Sequence, residues 1–193
     1  MKELGIKFLF PIILFVNVLI SQSHFTVSIN ETGVYQLIIF SSSITSLDSG
    51  DEIGIYDIDG QENSGDCSSI YGEVLVGSGI WQENQLNISA IGSYDNCSVG
   101  GSQMAGYIEG NPIVIRVWDA SEGKEYETSI TIIEGVNTFT TPGPTVISTL
   151  NILGCTKQSA CNCDGNVEDC AGDCGGSAVE DECGVCDGSG IAD

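Results

Sequence analysis

Between Phe25 and Ile152 the apolar residues of this chain recur with a period of two. Ile113, Ile115 and Val117 alternate with Val114, Arg116 and Trp118, and Tyr126, Thr128, Ile130 and Ile132 alternate with Glu125, Glu127, Ser129 and Thr131. Such a pattern places successive side chains on opposite faces of a strand, and no amphipathic helical stretch interrupts it. Phe25, Val27 and Ile29 open the series as a first strand, followed by Val34 to Phe40, whose nearly continuous apolar run predicts burial on both faces. Glu52 to Ile58, Gly72 to Val76, Gln85 to Ile91 and Val146 to Ile152 supply further strands. Gly33, Ser41-Ser42-Ser43, Asp48-Ser49-Gly50, Asn84, Gly123 and Glu134-Gly135 break the runs with turn residues. Short strands at regular spacing predict an all-β fold, an antiparallel β-sandwich over residues 24–153. A closed barrel is the competing architecture, because periodicity does not distinguish the two.

Both ends of the chain differ from this middle. Lys2 and Lys7 precede an apolar run from Phe8 to Ile20, which gives way to Ser21-Gln22-Ser23. The run is too short to span a bilayer, and its charged start and small polar stop are those of a secretory leader. Residues 1–23 are therefore expected to be a signal peptide, cleaved between Ser21 and Ser23. At the other end, residues 154–193 form a tail with seven cysteines and six aspartates but almost no bulky apolar side chain. A segment of that composition cannot order itself by hydrophobic burial and needs crosslinks or metal. An internal repeat at an offset of twelve lays Cys174 over Cys186 and Val179 over Ile191. The chain stops inside that repeat, so continuation into further C-terminal domains is expected.

A formal net charge of −22, with 27 acidic residues against 5 basic ones, leaves no basic surface for nucleic acid and argues against docking on anionic lipid. A single histidine and a single arginine remove most catalytic constellations. His24, on the first alternating segment, would have to serve any Ser-His-Asp site, and the carboxylate pairs among Asp57, Glu62, Asp119 and Glu122 fall in turns. No enzymatic activity is expected.

Cys67 and Cys97 are the two cysteines of the β region, and in an exported protein they are expected to form a disulfide that staples two polar loops. Asp57-Ile-Asp59-Gly60, with Glu62 and Asp66 beyond, is the candidate cation loop of the β domain, since carboxylates two apart in a turn can converge on a hard ion. A solvated acidic turn is the alternative. In the tail, Asp164, Asp169, Asp173, Asp181 and Asp187 are candidate calcium ligands. Zinc is less favoured there: Cys161-x-Cys163 and Cys183-x-x-Cys186 have ligand-like spacing, but no histidine lies nearby. Trp118 is expected in the core, whereas Trp81, beside Gly79 and Gln82, is the expected exposed aromatic for stacking a sugar.

Asp169-Cys-Ala-Gly-Asp-Cys-Gly-Gly, followed by Asp181-Glu-Cys-Gly-Val-Cys-Asp-Gly, resembles the tandem "DCAGVCGG…DECGVCGG" repeats of large secreted proteins from marine bacteria. Those repeats are loosely similar to thrombospondin type 3 repeats, and often stand between β domains and a C-terminal signal for type IX secretion. This tail departs from the thrombospondin pattern in having isolated aspartates in place of dense D-x-D-x-D-G runs. Ser49-Gly-Asp-Glu-Ile-Gly-Ile-Tyr and Ile115-Arg-Val-Trp-Asp-Ala-Ser-Glu-Gly-Lys-Glu-Tyr-Glu resemble the "GDEIGVF…RIWDAS…EY" pattern of β-sandwich modules in the same kind of protein. The resemblance implies a secreted or cell-surface structural or adhesion module on a disulfide-linked, calcium-binding stalk, with an extracellular protein or glycan as its partner. A carbohydrate-binding module of a secreted hydrolase is the alternative.

Overall fold

The computed structural model describes residues 23–140, 143–155, 169–173, 175–181 and 184–187. Of the expected leader of residues 1–23 only Ser23 is described; Asp164 and the Cys161-x-Cys163 spacing also lie outside the described residues, as do Cys174 and Cys183 of the repeat.

The described chain is all-β. Its strands are β1 (Tyr35–Phe40), β2 (Glu52–Gln61), β3 (Tyr71–Ile80), β4 (Leu86–Ile91), β5 (Tyr94–Asp95), β6 (Gln103–Met104), β7 (Val114–Asp119), β8 (Lys124–Glu134) and β9 (Thr145–Cys155). Seven of them form one continuous sheet in the order β3-β2-β7-β8-β9-β1-β4, and β5 and β6 make a small separate ribbon. Neighbours in the large sheet run antiparallel, except that β1 and β9 pair in parallel through Ile38↔Thr145 to Phe40↔Ile147. The sheet curls until its two outer strands meet: Ile88 and Leu86 of β4 lie over Gly77 and Gly79 of β3.

Curling encloses one core. The inward residues of each strand, Ile38 and Phe40, Ile53 and Ile55, Val76, Ile115 and Val117, Ile147 and Leu150, are almost fully buried together with Phe139 and Trp81. Each such side chain contributes about 1.5–3 kcal/mol relative to exposure. Tyr107 stacks on Phe139 with ring centroids 4.4 Å apart and closes one end.

Several expectations need correction. Val34 to Phe40 is buried on one face only: Tyr35 and Leu37 are exposed, while Gln36, Ile38 and Phe40 point inward. An amide can face the core here because every polar atom finds a partner. Gln36 Nε2 donates to Thr145 Oγ1 at 3.0 Å, and Gln36 Oε1 accepts from the Thr140 N–H at 2.8 Å. Phe25, Val27 and Ile29 alternate in burial as expected, but the segment joins no ladder. Its start, Ser23 to Phe25, is an extended strap over the outer face at Glu52 and Gly54, and Ile29 packs against the core cluster. The last strand, expected over Val146 to Ile152, runs on to Cys155 against Tyr126 of β8.

Candidate functional site

Strand alternation turns Glu52, Gly54 and Tyr56 of β2 outward, and the register sets Glu52 beside Trp118 and Gly54 beside Arg116. Trp118 is in turn opposite Glu125 of β8. The strap Ser23-His24-Phe25 lies across this face. The His24 ring stacks on Trp118 at 3.8 Å, nearly parallel, and its Nε2 stands 2.9 Å from Glu125 Oε2. Phe25 packs into the space left by the absent side chain of Gly54, where a Cβ would stand 3.1 Å from the phenyl ring. The ring meets Tyr56 edge-on. Glu52 fixes the strap: Ser23 Oγ donates to Oε2 at 2.6 Å, the His24 N–H to Oε1 at 2.9 Å and the Phe25 N–H to Oε2 at 3.0 Å. Burial would push the Glu52 carboxyl up, but these three donors outweigh it and hold the group below its ordinary value.

Beside the strap, Arg116 forms a two-pronged ion pair with Glu73 of β3, at 2.8 and 2.6 Å, and its guanidinium lies 4.5 Å over the Tyr56 ring. Hydrogen bonding to Arg116 holds Glu73 low. Burial, reinforced by the Glu125 charge, pushes the Tyr56 phenol up to about 12. The chain's one arginine and one histidine thus meet on a single outer face, each engaged with a carboxylate and an aromatic ring. Sequence reasoning missed this site. The signal available was the chain's one arginine and one histidine together with glutamates on outward-facing positions of strands that pattern alone could not make adjacent.

The four carboxylates expected to form a cation loop do not converge. Asp57 is fully buried, and its oxygens accept from the Asp59 N–H at 3.0 Å, the Ile108 N–H at 2.8 Å and Asn111 Nδ2 at 3.0 and 3.1 Å. It ties β2 to the segment before β7. Asp59 is exposed, Glu62 lies over Gly72, and Asp66 accepts from the Ser68 N–H and hydroxyl. Among the described residues, no three His, Cys, Asp or Glu side chains form a metal-binding group. The tryptophan expectation is reversed. Trp81 is 0% exposed and belongs to the core, whereas Trp118 is half-buried under His24. Gly79 is a residue of β3 opposite Ile53, and directly after that strand the Trp81 backbone N–H donates to Asp51 O while Trp81 O accepts from Gly50 N–H.

Asp119 and Glu122 line a cleft of about 220 Å³ together with Asp51 and Tyr126. Each has local work: Asp119 accepts from Ser121 and Glu122 N–H, Tyr126 donates its hydroxyl to Glu122, and Asp51 accepts from Asp48 and Ala120 N–H. Burial raises the Asp51 carboxyl against those two bonds.

Cys67 and Cys97 are joined, with Cα atoms 5.8 Å apart, and tie the loop after β2 to the turn after β5. In the tail Cys170 is bonded to Cys186. The tail aspartates organise turns. Asp169 Oδ1 accepts from the N–H groups of Ala171 and Asp173, its Oδ2 from Ala178, and its N–H donates to Asp173 O. Twelve residues on, Asp181 repeats the unit: Oδ1 accepts from the Val185 N–H, and the Asp181 N–H donates to Val185 O. Gly172 and Gly184 hold equivalent places with φ of 85° and 75°, the left-handed region that glycine enters without strain. Asp173 O accepts from Gly176 N–H, and Asp187 N–H donates to Val179 O. The aspartate turn thus recurs at an offset of twelve, the same offset as the sequence repeat of Cys174 over Cys186, of which Cys174 and residues 188–193 lie outside the described residues. No family model, curated protein or solved structure matches this chain.

Proposed function

We propose that the chain is a non-catalytic extracellular structural or adhesion module, in which a hydrophobically cored β domain is mounted on a disulfide-ordered stalk of a larger secreted or cell-surface protein. The observation that carries this reading is the repeated aspartate turn, crosslinked by Cys170–Cys186, in a segment whose described residues include no buried side chain. Such crosslinks persist in oxidising compartments, and the second disulfide at Cys67–Cys97 fits the same setting. The sugar-stacking alternative is not carried forward: its ring, Trp81, lies in the core, and one face of Trp118 is covered by His24.

A spacer must resist extension, which gives the reading a mechanical test. With the Cys170–Cys186 bond intact, the enclosed span of 16 residues adds no length under force. Reduction should release about 50 Å of extra chain at roughly 3.3–3.6 Å per residue. Single-molecule pulling of the full chain with and without reductant measures this. A chelator should leave the tail's resistance to protease unchanged, whereas reductant should abolish it. Loss of protection on chelation alone would make calcium the ordering element, and equal extension before and after reduction would remove the stalk.

A further inference from the structure

We propose that the parallel pairing of β1 with β9 is a load-bearing clamp, through which the β domain carries tension along the chain without unfolding. It rests on the reading of the chain as a module within a larger protein, since tension reaches a module only through the segments on either side of it. β1 and β9 are the first and last strands of the large sheet in chain order, yet they lie side by side in its interior. They run parallel, through Ile38↔Thr145, Ile39↔Val146 and Phe40↔Ile147. The chain therefore enters β1 at Tyr35 and leaves β9 at Cys155, at opposite ends of the pair. Tension draws β1 toward its start and β9 toward its finish, so the two strands must slide past one another and cannot peel apart. In a parallel ladder the bonds are slanted and evenly spaced, and sliding loads all of them at once. Neither strand has a free edge by which to open. β4 holds β1 from Tyr35↔Ile91 to Phe40↔Leu86, and β8 holds β9 from Tyr126↔Cys155 to Glu134↔Val146.

Side chains extend the clamp beyond its short ladder. At one end Gln36 Nε2 donates to Thr145 Oγ1 at 3.0 Å, inside the core. At the other, the Ser41 N–H donates to Ile147 O at 2.9 Å, Ser43 Oγ donates to Ser148 O at 2.9 Å, and Ser46 Oγ donates to Leu150 O. The connection after β1 thus keeps following β9, although by composition it is a turn. Ile44 and Leu47, both buried, fix it there. Hydroxyls turned to water would serve a turn equally well; here two of them lengthen the contact between the strands that tension would slide.

Single-molecule pulling of the full chain in two geometries is the test. Held by its two ends, the β domain is loaded across β1 and β9. Held by the C-terminal end and a covalent handle at Ser121, in the turn before β8, it is loaded where β8 and β9 meet at Tyr126↔Cys155, and that antiparallel pair opens one bond at a time. Forced unfolding is governed by the unfolding rate, and so by which bonds the pull must break together, rather than by overall stability. The end-to-end geometry should therefore need a force several times that of the Ser121 geometry. Ser43→Ala with Ser46→Ala should lower the end-to-end force and leave the other unchanged. Equal forces in the two geometries overturn the clamp. So does a fall of the same size in both on substitution, which would make the serines ordinary stabilising contacts. Should the double variant fail to fold, the two geometries compared in the unsubstituted chain decide alone. The comparison is made without reductant, so the tail's lengthening on reduction is read separately. Lengthening with equal forces sinks the clamp and leaves the stalk, whereas unequal forces without lengthening sink the stalk and leave the clamp.

Discussion

Replacing Asp57 with alanine separates a structural carboxylate from a cation ligand. The side chain is 0% exposed and accepts from two backbone N–H groups and the Asn111 amide. Asp59 lies at the surface, so its N–H can turn to water. The Ile108 N–H and the Asn111 amide are partly buried and lose a charged acceptor. A hydrogen bond to a charged group is worth about 1.5–3 kcal/mol, so two unreplaced ones put the loss at roughly 3–6 kcal/mol. That is a large fraction of the ~5–15 kcal/mol typical of a domain. Urea unfolding followed by circular dichroism reads it as a lowered midpoint at constant slope. Calcium at millimolar concentration should leave the midpoints of both proteins where they are. A loss below about 1 kcal/mol would mean the N–H groups rehydrate freely and the bonding argument is wrong. Calcium that stabilises the parent protein but not Asp57→Ala would restore the cation loop.

Three further outcomes follow from other parts of the fold. Removing the Cys67–Cys97 crosslink as C67S/C97S frees a loop with a sequence separation of 30; the chain-entropy relation gives about 3.6 kcal/mol, and calorimetry should show Tm falling by about 10 °C. In a Trp118→Phe protein the remaining Trp81 should emit at short wavelength and resist acrylamide, whereas in a Trp81→Phe protein Trp118 should be quenched; the opposite ranking would displace Trp81 from the core. Glu52, held below its usual 4.5, contributes stability that is present above that pH and lost as pH falls through its folded value. Glu52→Gln should therefore flatten the acid limb of the stability profile, and an unchanged limb would show the strap is held by other contacts.

How much of this was legible follows from what a period of two encodes. Alternation marks which side chains share a face, so Ile53 with Ile55, and Ile115 with Val117, were rightly grouped, but it did not say which face is the core: Ile115 and Val117 are buried, not the face of Trp118. It carries nothing about which strand lies beside which, and the parallel closure of β1 on β9 left no local trace. Nor does it tell a strand from an extended strap. Phe25, Val27 and Ile29 satisfy the pattern because they too have one face against the protein, although their backbone joins no ladder. Tryptophan misled for a related reason. Trp81 sits among turn residues, which suggested exposure, but the connection folds inward and Asp51 and Gly50 hold its backbone. Trp118 sits on a strong strand, which suggested burial, but an even position puts it outside.

The carboxylates show the same limit from the side of chemistry. Asp57, Asp169 and Asp181 were candidate ligands because aspartate offers oxygen, and in the fold those oxygens receive backbone N–H groups. Spacing in sequence reveals an acceptor but not which donor claims it. The two β-domain segments singled out by resemblance, Ser49 to Tyr56 and Ile115 to Glu127, turn out to be partners, since β2 and β7 pair side by side. Their polar residues then have specific tasks. Asp51 accepts from the Ala120 N–H across that pair, Glu52 receives the strap, and Arg116 reaches over Tyr56 to Glu73. The hydrophobic members of the same segments would fold as well with many other polar neighbours. What the particular choice of Glu52, Gly54, Arg116 and Trp118 adds is a face shaped to hold the chain's own Ser23-His24-Phe25, and it is there that the sequence carries more than a β fold requires.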